Sequence, residues 1–254
     1  MKKIYVSFLA LLLLFSLSLN SYAKGNCYSW YFKRCGHEAP LFPHNADFIS
    51  KNGGIYLDKA SNTSGKKKIY LTFDAGYENG NIEVILDTLK EKEVPGAFFI
   101  LSNLIKKNTD LVLRMANEGH TVCNHTASHK NLTALTGEEI RVELESLERL
   151  YNEKTGREMT KYFRFPEGCY NEQTVEYIAS LGYKCVFWSL AYADWDNLNQ
   201  PTDATAKNKL INDTHCGAVI LLHPTSATNA RVLPMLIDTW RSMGYEFGVL
   251  DDIK

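Results

Sequence analysis

From residue 66 onward, short apolar runs alternate with longer amphipathic segments. This is the pattern of strands buried on both faces, joined by helices that bury one stripe. Strands are predicted at 69–73, 97–101, 120–123, 162–163, 184–188 and 218–222, with a last one around Phe247. Helices are predicted at 82–90, 111–118, 138–151, 172–181 and 229–243. In the third of these, Ile140, Leu144, Leu147 and Tyr151 recur at spacings of three and four and mark one buried face. Gly182 and Gly244 follow two helix ends, where a left-handed residue closes the last turn. About seven strand–helix repeats within residues 66–254 imply an α/β fold with a parallel sheet, a distorted (β/α) barrel rather than an open sheet.

Residues 24–65 break the pattern. They carry Tyr28, Trp30, Tyr31, Phe32 and Phe42 without periodicity and end in the polar stretch Ser61-Asn62-Thr63-Ser64-Gly65, which reads as an N-terminal extension, an extended arm packed on the main domain. Before them, Lys2 and Lys3 precede a 14-residue apolar run at 6–19 and then Ser21-Tyr22-Ala23. That order predicts a secretory signal over 1–23, cleaved after Ala23. The run is shorter than the ~20 residues that span a bilayer, although an uncleaved anchor stays open as an alternative. The expected location is outside the cytoplasm, in the cell envelope or the spore cortex space.

Composition narrows the classes. The chain is 45% hydrophobic and 22% charged, which fits neither disorder nor a polytopic membrane protein. Net charge is −1, and loss of Lys2 and Lys3 with the leader would make the mature chain −3. With no basic block, nucleic acid is not an expected partner. Gly76-Tyr77-Glu78-Asn79-Gly80 lacks the lysine of a phosphate loop, so neither is a nucleotide. Among six cysteines, Cys27 and Cys35 are close enough in sequence to staple the arm in an oxidising compartment, Cys123 and Cys185 read as small core residues, and the pairing stays open.

Reactive side chains gather at the C-terminal ends of the predicted strands, the rim where parallel barrels keep their active sites. Asp74 follows Leu71-Thr72-Phe73, His125 and His129 follow Thr121-Val122-Cys123, and Arg164 ends Tyr162-Phe163. Asp194 lies beyond Phe187-Trp188, and His223 ends Val219-Ile220-Leu221-Leu222. Two imidazoles four residues apart would point the same way on a helical turn and could grip one divalent ion. His37, His44, His120 and His215 have no such company and read as ordinary polar or capping residues.

Thr72-Phe73-Asp74-Ala75-Gly76, His125 through His129, Arg164-Phe165-Pro166-Glu167-Gly168, Asp194-Trp195 and Leu221-Leu222-His223 occur in the order of the five motifs of the NodB-type polysaccharide deacetylases, carbohydrate esterase family 4. The chain resembles that family over roughly residues 66–250. Within it, Thr-Phe-Asp-Ala-Gly-Tyr-Glu-Asn-Gly and the 188–195 stretch are similar to the delta-lactam-biosynthetic peptidoglycan de-N-acetylases of spore formers. The resemblance implies a metal-dependent hydrolase that removes N-acetyl groups from N-acetylmuramic acid in peptidoglycan glycan strands, leading to the muramic δ-lactam of spore cortex. The alternatives are deacetylation of another polymer (N-acetylglucosamine residues, chitin oligomers or acetylated xylan) and a catalytically dead glycan-binding relative. The protein is expected to be a monomer.

It also implies roles. Asp74 corresponds to the base that deprotonates water, and His125 and His129 to ligands of a divalent metal ion, with zinc as the first expectation and cobalt or manganese as alternatives. Arg164 corresponds to the residue that orients the base, with Asp194 in the tuning network. His223 corresponds to the acid that protonates the leaving amine, and Leu221 with Trp195 to the lining of the acetyl slot. Tyr77, Tyr170, Trp188 and Trp195 are candidates for stacking on sugar faces. Two departures matter. Ala75 stands where most members have a second, metal-binding acid, which implies weaker metal binding with Glu78, Asn79 or Asn81 as possible substitutes. Glu167 replaces a frequent aromatic, which changes substrate contacts while its backbone N–H remains available to an oxyanion.

Overall fold

The computed structural model describes residues 25–253; the proposed signal at 1–23 lies outside the described residues. The arm holds strands β1 (Tyr28–Ser29), β2 (Lys33–Cys35) and β3 (Glu38–Leu41) and helices α1 (Ala46–Lys51) and α2 (Lys59–Ser64). Then follow β4 (Lys68–Ala75), α3 (Ile82–Glu91), β5 (Ala97–Ile100), α4 (Ser102–Lys107), α5 (Thr109–Asn117), β6 (Thr121–Asn124) and α6 (Gly137–Thr155). The remainder is β7 (Tyr162–Phe163), β8 (Cys169–Tyr170), α7 (Glu172–Ser180), β9 (Lys184–Cys185), α8 (Asp203–Asn212), β10 (Val219–Leu222), α9 (Ala227–Ser242) and β11 (Glu246–Phe247).

Strands run in the order β10-β4-β5-β6-β7-β9, all parallel, and β11 pairs in parallel with the first residues of β4. These seven strands form the expected curled α/β barrel. Its two ends meet through single bridges: Leu190 pairs with Ile220 near the rim, while Ile55 pairs with Val186 and Leu57 with Ala218 lower down. The arm therefore supplies part of the wall. The 184–188 run, read as one strand, gives a ladder only at Lys184–Cys185, opposite the two-residue β7; the Val186 N–H still donates to the Phe163 carbonyl, while Ile55 bridges Val186 on its other edge.

Side-chain alternation on β4 sorts the core into layers. Ile69, Leu71, Phe73 and Ala75 face the helices, against Ile85 and Leu86 of α3 and Leu233 and Ile237 of α9. Tyr70 joins Phe99, Cys123 and Val219 in a separate buried cluster. Thr72 and Asp74 continue that inner row toward the rim. A polar residue can occupy the inner row only if its groups are paired. Thr72 satisfies this by donating its hydroxyl to the Ile220 carbonyl at 2.7 Å.

The arm is anchored by Trp30, whose indole packs 4.7 Å from the Phe187 ring and donates Nε1–H to the Trp188 carbonyl at 2.8 Å. The cysteine reading needs correction. Cys27 bonds to Cys169, beside the antiparallel β1–β8 pair, and Cys35 is a free thiol. The two half-cystines are 142 positions apart, so proximity along the chain was the wrong guide. The polar stretch 61–64 is not extended either. It belongs to α2, which Asp58 caps by accepting from the Ser61 N–H and which Gly65 ends at φ 72°. Cys123 and Cys185 are fully enclosed, as expected of small core residues. Among the described residues no helix is long and apolar enough to cross a membrane.

Candidate active site

Asp74 sits at the end of β4 with its side chain 11% exposed. Arg164, which follows β7, has no exposed surface and spends its guanidinium on fixed partners. Nη1 donates to Asp74 Oδ1 at 2.7 Å, Nη2 to Thr72 Oγ1 at 2.9 Å and Nε to the Val186 carbonyl at 3.0 Å. The guanidinium also lies 4.1 Å from the centre of the Phe99 ring. Burial by itself would push the Asp74 carboxyl up. The Arg164 charge and hydrogen bond, helped by His223, outweigh it and hold the group below its ordinary range.

His125 donates Nδ1–H to the Arg164 carbonyl at 2.9 Å, an assignment fixed because a carbonyl can only accept. Burial lowers its pKa to about 4, so the ring is neutral at pH 7 and Nε2 carries a lone pair. That nitrogen lies 3.6 Å from Asp74 Oδ2, an acceptor facing an acceptor beyond hydrogen-bond length. The His129 ring centre is 4.9 Å from that of His125. The helical turn read from their spacing is absent. Residues 125–129 form a loop in which Thr126 and His129 take φ of 73° and 59°. For a β-branched residue that is an uncommon conformation, and it persists because the loop is over-determined. The Thr126 N–H donates to Asn124 Oδ1, Thr126 Oγ1 accepts from the His129 N–H, and Glu143 of α6 accepts from both the N–H and the hydroxyl of Ser128.

On the other side, His223 donates Nδ1–H to Asp194 Oδ1 at 2.7 Å and its backbone N–H to Oδ2 at 2.9 Å. Asn229, at the start of α9, donates to Asp194 Oδ2 and to the His223 carbonyl. Burial alone would lower the His223 pKa; the Asp194 carboxylate more than offsets this, and the result lies above the ordinary imidazole value. Asp194 thus serves His223 and makes no bond to Arg164 or Asp74 in this structure.

One cleft of about 1060 Å³ brings these groups together. Asp74, His125, His129 and His223 line it, as do Tyr77, Glu167, Trp195 and Leu221. Leu221 reaches it by the same alternation as Asp74, two positions beyond inner-layer Val219. Arg164 and Asp194 stand behind the wall. Of the stacking candidates, Tyr170 is a core residue at 1% exposure, whereas Trp188 lines the cleft and Trp195 is 62% exposed. Glu167 takes φ of 58° and, with His129, is one of two left-handed non-glycine residues that line this cleft, out of four among the described residues.

The pattern reading missed Tyr31, Phe32 and Arg34 of the arm and Lys209 of α8, all of which line the cleft. It also missed the supporting Asn229. None of them belongs to a motif at a strand end, and only the aromatic and basic makeup of residues 28–34 hinted at contact with a sugar.

The donor set can be tested for a divalent ion. His125 Nε2 is held as a lone pair beside a carboxylate, and His129 is adjacent, which suits a cation. Among the described residues no group of three or more His, Cys, Asp or Glu is clustered to hold a metal. Ala75 faces the helix layer, fully buried, and offers nothing. The substitutes named for it are engaged elsewhere. Glu78 accepts from the N–H groups of Gly80 and Ile82, and the amides of Asn79 and Asn81 both donate to the Thr225 carbonyl.

Residues 61–186 match the polysaccharide deacetylase family. Over 227 residues the chain is 38% identical to PdaA of Bacillus subtilis, named a peptidoglycan-N-acetylmuramic acid deacetylase, covering 89% of this chain and 85% of that one. The solved structure of PdaA, a family 4 carbohydrate esterase, superposes with a TM-score of 0.84 at 37% identity and covers 89% of this chain and 96% of that chain. An uncharacterised 30.6 kDa protein of Geobacillus stearothermophilus is 42% identical over 82% of this chain and 77% of its own. A peptidoglycan-N-acetylglucosamine deacetylase of Bacillus cereus is 33% identical over 67% of this chain and 60% of its own.

Proposed function

This chain belongs to the polysaccharide deacetylase family, and from that premise we propose that it removes the N-acetyl group of N-acetylmuramic acid in peptidoglycan glycan strands, releasing acetate and a free amine. One observation carries the chemistry: an ionised carboxylate locked by a buried guanidinium, and a carboxylate-paired imidazole, line the same cleft.

Amide hydrolysis needs a nucleophile, a place for the developing oxyanion and a proton for a poor leaving group. Asp74 takes a proton from the attacking water as the new C–O bond forms. Arg164 keeps Asp74 ionised and aimed, since both oxygens would otherwise be free to rotate or protonate. The C–N bond then breaks as His223 gives its proton to the nitrogen. With Nδ1 committed to Asp194, Nε2 is the ring nitrogen left to do so. Each proton transfer contributes on the order of 10²–10⁴-fold. Leu221 and Trp195 bound the slot for the acetyl methyl, and the Glu167 N–H is the backbone donor for the oxyanion.

His125 and His129 would hold a divalent ion, which when bound supplies Lewis acidity at the acetyl carbonyl and acidifies water. With two protein nitrogens and no second acid at Ala75, binding should be weak and exchangeable. Zinc is the proposed ion, with cobalt and manganese as alternatives.

The likeness to PdaA supports muramic acid as the sugar, and the resemblance of the 72–80 and 188–195 stretches supports a place ahead of muramic δ-lactam formation in spore cortex. Export to the cell envelope is supported by the Cys27–Cys169 pair, a bond that persists in oxidising compartments. The Bacillus cereus relative favours a second reading, in which N-acetylglucosamine is the target. Incubating the protein with denuded and with peptide-bearing muropeptide chains, followed by mass analysis, decides between them. Loss of an acetyl mass from muramic residues is expected, whereas loss from glucosamine residues alone selects the second reading. A chelator should stop acetate release, and added zinc, cobalt or manganese should restore it; full turnover in metal-free protein overturns the metal assignment.

A further inference from the structure

We infer that Arg34 of the arm and Lys209 of α8 form a carboxylate subsite in the cleft, which reads the free lactyl group of a muramyl residue. The inference rests on the deacetylase reading above and names what would make it selective. N-acetylmuramic acid differs from N-acetylglucosamine by a lactyl ether next to the acetamido carbon, so a site that prefers the former must recognise a negative charge close to the reacting amide.

The cleft is otherwise poor in fixed cations facing a ligand, since Arg164 is fully enclosed and spent on Asp74. Arg34 and Lys209 line it instead. Arg34 is held in place rather than loose. Its Nε pairs with Asp213 at 3.2 Å, and Nη2 donates to the Ala191 carbonyl at 2.6 Å, three residues before the carboxylate that pairs with His223. A guanidinium has five N–H donors, and these contacts use two. The Arg34 side chain remains 40% exposed. Lys209 sits one turn before Asp213, whose backbone N–H donates to the Lys209 carbonyl, so both cations gather at the end of one helix. Lys209 is exposed, and its ammonium has no hydrogen bond or ion pair among the described residues. Asp213 neutralises one of the two charges, leaving a net positive corner within the same cleft as His223. Planar guanidinium and mobile ammonium together suit a carboxylate.

The test compares three glycans that differ only at the lactyl group: free carboxylate, neutral methylamide, and an alanine amide that carries the charge farther out. For wild type, kcat/KM should favour the free carboxylate over the methylamide about tenfold. Lys209→Gln should cut that ratio below about threefold, and Lys209→Glu should invert it. Arg34→Gln should reduce it as well. If Arg34 only braced the loop through Ala191, its loss would slow all three glycans equally and leave the ratio intact. A wild-type ratio near one, a ratio that survives both Lys209 variants, or a preference for the alanine amide overturns the lactyl subsite. Calorimetric Kd values for the same glycans read the subsite without turnover, and the same ordering is expected there. Absence of acetate release with that ordering intact would refute the deacetylase reading and keep the subsite.

Discussion

The two sides of the cleft hold Asp74 and His223, the proposed proton-handling groups, by different means. Asp74 is fixed from inside the barrel by a cation that has no contact with solvent and is itself tied to Thr72 and to the Val186 carbonyl. His223 is fixed from a loop by Asp194, which in turn is held by Asn229 at the start of α9, and its side chain remains 23% exposed. On the barrel side a positive charge drives a carboxyl down, and on the loop side a negative charge drives an imidazole up. The contrast separates the roles. The proposed base must be ionised before water arrives, and a buried cation keeps it so; the proposed acid must still carry its proton, and a buried carboxylate keeps it so.

The bluntest way to break the comparison is Asp74→Asn. This should lower acetate release by about 10²–10⁴-fold while the chain stays folded, read by coupled acetate assay beside circular dichroism. Near-normal turnover would remove Asp74 from the reaction. Arg164→Met attacks the same side through stability. Leaving a buried carboxylate without its partner should cost about 3–5 kcal/mol in urea unfolding, and adding Asp74→Asn to that variant should recover most of it. Failure of the second change to compensate would mean that Arg164 matters through its bonds to Thr72 and Val186.

A finer probe is the pH profile of kcat/KM. In the proposed mechanism Asp74 works ionised and its pKa is depressed, so activity should fall only below the usual carboxylate range; His223 works protonated and its pKa is raised, so activity should persist above pH 6.5 before falling. Asp194→Asn should pull the alkaline limb down to or below that ordinary imidazole value, because burial then acts unopposed, and leave the acid limb in place. If both limbs move together, the two sides are one coupled unit and the contrast fails.

Much of this was legible because a parallel barrel delivers strand ends to one rim. Position just past the run ending at Phe73 sufficed to place Asp74 at the rim, and position just past the run ending at Leu222 sufficed for His223. Where reading failed, the cause was non-local. Cys27 finds Cys169 across the fold, Ile55 and Leu57 fill a seam whose edges come from residues 186 and 218, and Arg34 reaches the cleft only because the arm folds back. The 125–129 loop failed for a local reason. Spacing suggested a helical turn, but left-handed Thr126, held by Asn124, and left-handed His129, held by Thr126, bring the imidazoles together another way.

The pairing of β4 with β10 has a consequence for synthesis. β4 is complete by residue 75, yet the neighbour that covers Tyr70 through Phe73 on one edge arrives only at residues 219–222. A chain emerging from the ribosome, or one ended early by a stop codon before that point, therefore presents this buried apolar strand with a bare edge. Such fragments should clump or be degraded rather than accumulate as a smaller working barrel.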